Sequence, residues 1–224
     1  MTANRGVLFD VDGTLVDTTY LHAVAWWEAL RQHDKDVPMA EIHRAIGMGS
    51  DKILDHLLGA DRDKSDDEHM ATAHDILYGA WWERLRPLPG AADLLRACAD
   101  LGLAVVLASS AKGAELTKLR RVIDADDVIT AATSSADAEE SKPAPDILQA
   151  ALDQSDVDPQ QCVFVGDAVW DVKAAGKLGI PCIGLACGGT SADELTAAGA
   201  IETYKDPAAL LAALDRSAIK KLSS

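Results

Sequence analysis

The chain has 224 residues, 48% of them hydrophobic, which suits one sizeable domain or a core domain with a smaller insert. A formal net charge of −15 argues against nucleic-acid and anionic-membrane partners. It leaves an anionic substrate open, because a metal and a few cations can reverse the sign inside one cleft.

No apolar run is long enough to span a bilayer, and the amino terminus lacks a charged-then-apolar leader, so the expected location is the cytoplasm. Cys98, Cys162, Cys182 and Cys187 have no zinc-ribbon spacing and read as reduced thiols without a disulfide framework.

The first element carries the most information. An apolar run at 7–9 stops at two carboxylates, Asp10 and Asp12, followed by Gly13 and Thr14. This predicts a buried strand whose carboxyl end opens into a tight polar loop. Open parallel sheets place ligands beyond the carboxyl ends of their strands, so these acids face a crevice. Two acids on one turn repel each other unless a cation or proton intervenes, and a hard divalent ion, by default Mg2+, suits their oxygens. An Asx-turn with local backbone bonds is the alternative for an isolated D-x-D.

Residues 19–34 carry apolar side chains at helical spacing, with Thr18 or Thr19 as N-cap. The same style continues over 39–58, broken by Gly-Met-Gly-Ser at 47–50, and over 66–85. Nothing between 17 and 86 has strand character, and four of the five tryptophans (Trp26, Trp27, Trp81, Trp82) fall there. The expectation is a helical insert with its own small aromatic-rich core. Arg-Pro-Leu-Pro-Gly at 86–90 marks the return.

Beyond it strand and helix alternate: helix 91–100, strand 103–108, helix 113–122, strand 128–131, helix 144–153, strand 162–165, helix 171–178 and strand 181–185. Such alternation implies a parallel sheet with right-handed crossovers. The tail from about 216 is expected to be short, polar and frayed. The predicted architecture is a doubly wound α/β parallel sheet, 1–16 and 87–224, interrupted by a small α-helical cap domain at 17–86.

Further polar residues fall at strand ends. Ser109 and Ser110 follow strand 103–108, where a hydroxyl before a helix holds a phosphate oxygen or serves as a plain N-cap. Lys142, followed by Pro143, sits in a loop leading to a helix; a lone lysine there is otherwise a solvated surface charge. Asp167 ends strand 162–165 through Gly166, and Asp171 follows in the first turn of a helix. Asp167 is a candidate metal ligand; Asp171 supports a metal-bound water or Lys142, or simply favours the helix dipole.

The run D-x-D-G-T-L-V-D from Asp10, a Ser at 109, Lys142-Pro143 and G-D-x-x-x-D from Gly166 resemble, in order, the four motifs of the haloacid dehalogenase-like (HAD) superfamily of phosphohydrolases. A helical cap after the first motif resembles its phosphoglycolate phosphatase and β-phosphoglucomutase-like branch. The resemblance implies that the first strand is central, beside the second and fourth, bringing Asp10, Ser109 and Asp167 together.

It also implies a nucleophilic Asp10 forming an aspartyl-phosphate, Asp12 as acid and base, and Ser109, Lys142 and Ser110 around the phosphoryl oxygens. Mg2+ would be held by Asp10, the Asp12 carbonyl and Asp167, with Asp171 in support. The acid at position 12 argues against the dehalogenase branch, whose halide leaving group needs no proton.

The cap would act as a lid, with Tyr20, His22, Arg44, Met48, Ser50 and Lys52 as candidates to line the cleft. His22 and Trp26 match positions in β-phosphoglucomutase-like relatives. Arg44 and Lys52 flank the 47–50 turn and would take a substrate carboxylate or second phosphate, or are solvated helix faces. Sugar phosphomutases of this branch carry an acid where Gly166 stands, and no counterpart of their cap lysine is evident. The implied function is Mg2+-dependent hydrolysis of a small phosphorylated metabolite by a monomer or homodimer, with a mutase or a non-catalytic phosphate binder as alternatives.

Overall fold

The computed structural model describes residues 4–223. The chain opens with β1 (Asn4–Phe9), and four helices follow without an intervening strand: α1 (Thr19–Arg31), α2 (Met39–Ala45), α3 (Ser50–Leu58) and α4 (Asp67–Gly79). Next come α5 (Ala91–Asp100), β2 (Ala104–Ala108), α6 (Gly113–Ile123), β3 (Ile129–Thr133), α7 (Asp146–Ser155) and β4 (Val157–Gly166). The chain closes with α8 (Val169–Lys177), β5 (Cys182–Leu185), α9 (Ala192–Ala198), β6 (Glu202–Tyr204), α10 (Pro207–Ala212) and α11 (Ala218–Leu222).

The strands form one parallel six-stranded sheet in the order β3-β2-β1-β4-β5-β6. The alternation of side chains along each strand divides the core into two layers. Val7, Phe9, Val105, Leu107, Val163 and Val165 join one layer, with α5, α6 and α11 over it. Leu8, Val106 and Phe164 join the other, with α7, α8 and α9. A sheet covered on both faces needs continuous apolar strands, which is why the runs at 7–9 and 162–165 stand out in the sequence.

The inserted helices enclose a third cluster built from Ala23, Trp26, Leu30, Ile42, Ile53, Leu54 and Met70, with Trp27 at its edge. This corrects the expected aromatic-rich cap core. Trp81 and Trp82, together with Tyr78, pack on the first sheet layer instead, because α4 brings the chain back to the core before the 86–90 breaker is reached. The return is stitched to the exit by Asp17 N–H to Arg86 O (3.1 Å) and Leu88 N–H to Leu15 O (2.8 Å).

Two further corrections concern helix ends. Thr18 stands at the N-cap of α1 but makes no side-chain cap bond, since its hydroxyl turns back to Asp12. The tail expected to fray instead forms α11, whose Ile219 is fully buried in the first layer. Among the described residues no helix is long and apolar enough to cross a membrane, and all four cysteines are free thiols.

Candidate active site

Because β1 lies between β2 and β4, the loops after Phe9, Ala108 and Gly166 leave the same edge of the sheet side by side. Asp10 extends the ladder, its N–H donating to Val165 O at 2.9 Å, and the chain then turns sharply at Gly13. Gly13 has φ +79°, and a Cβ there would meet Asp167 Oδ2 at 2.5 Å, so the turn needs glycine for both conformation and space. The tight loop after β1 thus sits against the acid at the tip of β4.

Asp10, Asp167, Asp171 and Lys142 form one buried cluster, with Lys142 only 1% exposed. The Lys142 ammonium lies 2.5 Å from Asp10 Oδ1 and 2.8 Å from Asp171 Oδ1. Asp171 Oδ2 accepts the Ala168 N–H at 3.0 Å, so one carboxylate both secures the start of α8 and anchors the lysine. Thr14 Oγ1 donates to Asp167 Oδ1 at 2.8 Å and lies 3.3 Å from Asp10 Oδ2. Burial opposes the charge on Lys142, but Asp10 and Asp171 outweigh it and hold its pKa above the usual lysine value. Burial pushes Asp10 upward against the pull of Lys142. It pushes Asp167 well above the carboxylate range, and the neighbouring Asp171 and Asp10 add to the effect.

Three carboxylates have oxygens within 4.8 Å of one another, and one ammonium pairs with two of them, Asp10 and Asp171. That donor set consists of hard oxygens with uncompensated negative charge, and it fits a divalent cation such as Mg2+. Asp10, Asp167 and Asp171 are the side chains that would hold one.

Asp12 faces the other way. Its Oδ1 accepts the Thr18 hydroxyl at 2.8 Å and lies 3.4 Å from His22 Nε2. His22 Nδ1 is 3.1 Å from His74 Nε2, and Glu115 Oε1 is 3.8 Å from His22 Nε2. Tyr78 stacks on His22 with centroids 3.9 Å apart, and Trp26 stacks on His74 at 4.3 Å. Burial resists charge on both imidazoles. For His22 the bond to Asp12 and the charge of Glu115 prevail and raise its pKa, whereas His74 falls to about 4. Of the two neighbouring rings, the one beside the acids binds its proton the more tightly. Burial likewise pushes Glu115 up to about 7. Asp12 is lowered overall, because the His22 and Thr18 hydrogen bonds outweigh its burial.

A cleft of about 110 Å3 opens over Asp10, Asp12 and Lys142, walled by His22, Trp26, Met48, Ser50 and Ser110. Ser110 Oγ is buried without a partner among the described residues, while Ser109 Oγ accepts the Ala111 N–H at 3.0 Å and is engaged inside the loop.

Three sequence candidates lie elsewhere. Tyr20 and Arg44 border a separate cavity of about 580 Å3, Tyr20 being 57% exposed and stacked on His43. Arg44 is 3.7 Å from Glu194, and Lys52 donates to Glu140 at 2.9 Å. Helical geometry explains Tyr20: His22 and Trp26 share one face of α1 at spacing i, i+4, and a residue two before His22 points to the opposite side. For Arg44 and Lys52, acids on the core surface capture the charges that were expected at the cleft.

Sequence reasoning missed His74, Asp75, Lys112 and Glu115, all of which line the cleft. A signal existed for His74, a polar residue between Met70 and Tyr78 on the buried stripe of α4. Glu115 lies in the first turn of the helix following Ser109, a turn that faces the same edge of the sheet.

Buried acids and a lysine at the carboxyl edge of a doubly wound sheet, beneath inserted helices, define a class of hydrolase. The haloacid dehalogenase-like hydrolase family model matches residues 5–179, and the chain belongs to this family. It is 30% identical over 208 residues to phosphoglycolate phosphatase of Escherichia coli (strain K12), the match covering 82% of each chain. Similarity to β-phosphoglucomutase of Bacillus subtilis (strain 168) is 29% over 193 residues, covering 82% of this chain and 84% of that one. A hydrolase from Pseudomonas syringae has a TM-score of 0.89 at 32% identity, covering 95% of this chain and 98% of its own. CbbY from Rhodobacter sphaeroides, solved with phosphate, has a TM-score of 0.76 at 26% identity, covering 95% and 99%.

Proposed function

We propose that the protein hydrolyses a small phosphomonoester through a phosphorylated Asp10, with Mg2+ as cofactor and the 17–86 insert as the lid of the cleft. One observation carries this reading. Two aspartates two residues apart sit in opposed environments, Asp10 gripped by Lys142 among buried acids and Asp12 turned to Thr18 and His22 at the cleft. A phosphate-binding protein has no use for the second, whereas a two-step displacement needs both.

Lys142 holds Asp10 Oδ1 and leaves Oδ2 to attack phosphorus. The Asp10–phosphorus bond forms as the ester P–O bond breaks, and Asp12 gives the leaving oxygen a proton that it draws from His22 Nε2, 3.4 Å away. Asp12, now a carboxylate, takes a proton from the water that attacks the aspartyl-phosphate, which releases inorganic phosphate and restores Asp10. Lys142, Ser110 and Ser109 with its loop amides stabilise the equatorial oxygens. Asp10, the Asp12 carbonyl and Asp167, backed by Asp171, would hold the metal, which when bound supplies positive charge against the attacking carboxylate and the phosphoryl group.

The similarity to β-phosphoglucomutase gives a second reading, intramolecular phosphoryl transfer. Gly166 weighs against it: a Cβ there would lie 2.5 Å from Asp171 Cγ, so the acid that mutases carry at this position has no room. The test is phosphate release from phosphoglycolate, hexose, pentose and glycerol phosphates and an aryl phosphate, with and without Mg2+, for wild type and Asp10→Asn. Metal-dependent release that vanishes in the variant is expected. Normal turnover by Asp10→Asn overturns the scheme, and glucose 1-phosphate converting to glucose 6-phosphate without phosphate release favours the mutase.

A further inference from the structure

We infer that the turn joining α2 to α3, together with Asp51 in the first turn of α3, is a positioning device that fixes the loop bearing Lys142 whenever cap and core are docked. The inference rests on the reading of Lys142 given above.

Ser141, the residue immediately before Lys142, is held twice from the cap. The Gly49 N–H donates to Ser141 Oγ at 3.0 Å, and the Ser141 N–H donates to Asp51 Oδ2 at 3.1 Å. One residue after Asp51 and one before Ser141, Lys52 Nζ donates to Glu140 at 2.9 Å. On the other flank Trp170, immediately before Asp171, donates its indole N–H to Arg44 O at 2.8 Å.

The 2.8 Å contact between Lys142 and Asp171 closes a ring from cap to Ser141, Lys142, Asp171, Trp170 and back to cap. Both residues that fix the ammonium beside Asp10 therefore follow a residue bonded to the same short cap segment. A lysine ammonium on four rotatable bonds is only as well placed as its backbone and its partners make it. Misplacing such a group by about 1 Å costs as much as a hundredfold in rate, and loss of one hydrogen bond of about 1 kcal/mol corresponds to roughly three- to tenfold. Asp51 is thus a positioning residue: it touches no reacting atom and acts through the Ser141 amide on Lys142.

The experiment compares wild type, Asp51→Ala and Asp51→Asn, the last keeping an acceptor for the Ser141 N–H. Hydrogen exchange of the peptide spanning 138–146, melting temperature, and kcat and KM on the best phosphomonoester are measured for each. In Asp51→Ala, exchange at Ser141 should quicken roughly tenfold and kcat should fall by about the same factor, with KM and melting temperature near wild type. Asp51→Asn should restore both readouts. Unchanged exchange in Asp51→Ala, or faster exchange with wild-type kcat, overturns the inference while leaving the proposed function intact.

If wild type releases no phosphate from any ester, the proposed function fails by itself. Affinity for inorganic phosphate in the presence of Mg2+ then decides the inference. Roughly tenfold weaker binding by Asp51→Ala, restored in Asp51→Asn, supports it. Equal binding by wild type and Asp51→Ala, or no binding by either, overturns it.

Discussion

His74 illustrates how single residues set the electrostatics of the cleft. It is 8% exposed, packed between Trp26 and Tyr78, and burial lowers its pKa from 6.5 to about 4. An unfolded chain accepts a proton near pH 6.5 that the folded protein refuses until about 4, so this residue costs nothing above 6.5 and weakens the fold as pH falls between the two values. At about pH 4.5 the penalty is on the order of 2–3 kcal/mol. Urea unfolding of wild type and His74→Gln at about pH 7 and pH 4.5 checks this. Relative to the variant, wild type should lose about 2 kcal/mol on acidification, and a difference independent of pH refutes the assignment. At this scale Asp10, Asp12, Lys142, Asp167 and Asp171 stood out through the ordered motifs that resemble the HAD family, since each alone had an ordinary structural alternative, and the fold brings four of them into one buried cluster with Asp12 at the cleft beside it. The sequence was less legible on the cap, where His22 reaches the cleft and Tyr20, two residues away, does not. The phase of a helix against the core is set by packing that the local sequence does not spell out.

Among whole elements, strands buried on both faces were easiest to read, and the shortest, half-buried strand was missed. Runs at 7–9, 103–108 and 162–165 correspond to β1, β2 and β4, whereas β6 (Glu202–Tyr204), half-buried throughout, gave no apolar run to notice. The extent of β4 was also hidden, since Val157–Gly166 includes the exposed Pro-Gln-Gln stretch at 159–161 before the apolar run. The tail was misread at α11, where two lysines in a five-residue helix disguise one anchoring side chain. Ile219 is fully buried with Leu210, Val163 and Ile183 in the first layer. Ile219→Ala should therefore lower the unfolding free energy by about 2–4 kcal/mol. Denaturant titration measures it, and a loss under about 0.5 kcal/mol, the level of ordinary surface substitutions, would show that the tail does fray.

For the whole molecule, the sheet order gathers the acids of two adjacent strand ends at one point of a chain whose net charge is already −15. Asp10 and Asp171 sit against one lysine with Asp167 beside them in a buried cluster, so folding the metal-free protein must either hold like charges together or take up protons. A divalent ion bound only by the folded state relieves it and stabilises by RT ln(1 + [L]/Kd), about 2.7 kcal/mol at a hundredfold excess over Kd. Melting temperature should accordingly rise with Mg2+ and fall back with chelator. Asp167→Asn removes the cost of protonating a buried carboxyl on folding near neutral pH while keeping an acceptor for Thr14, so it should melt higher than wild type in chelator and gain little from Mg2+. The two shifts have opposite signs in the absence and presence of metal, which a general loss of packing cannot imitate. An Asp167→Asn protein that responds to Mg2+ as wild type does would place the ion elsewhere, away from the strand ends that the fold brings together.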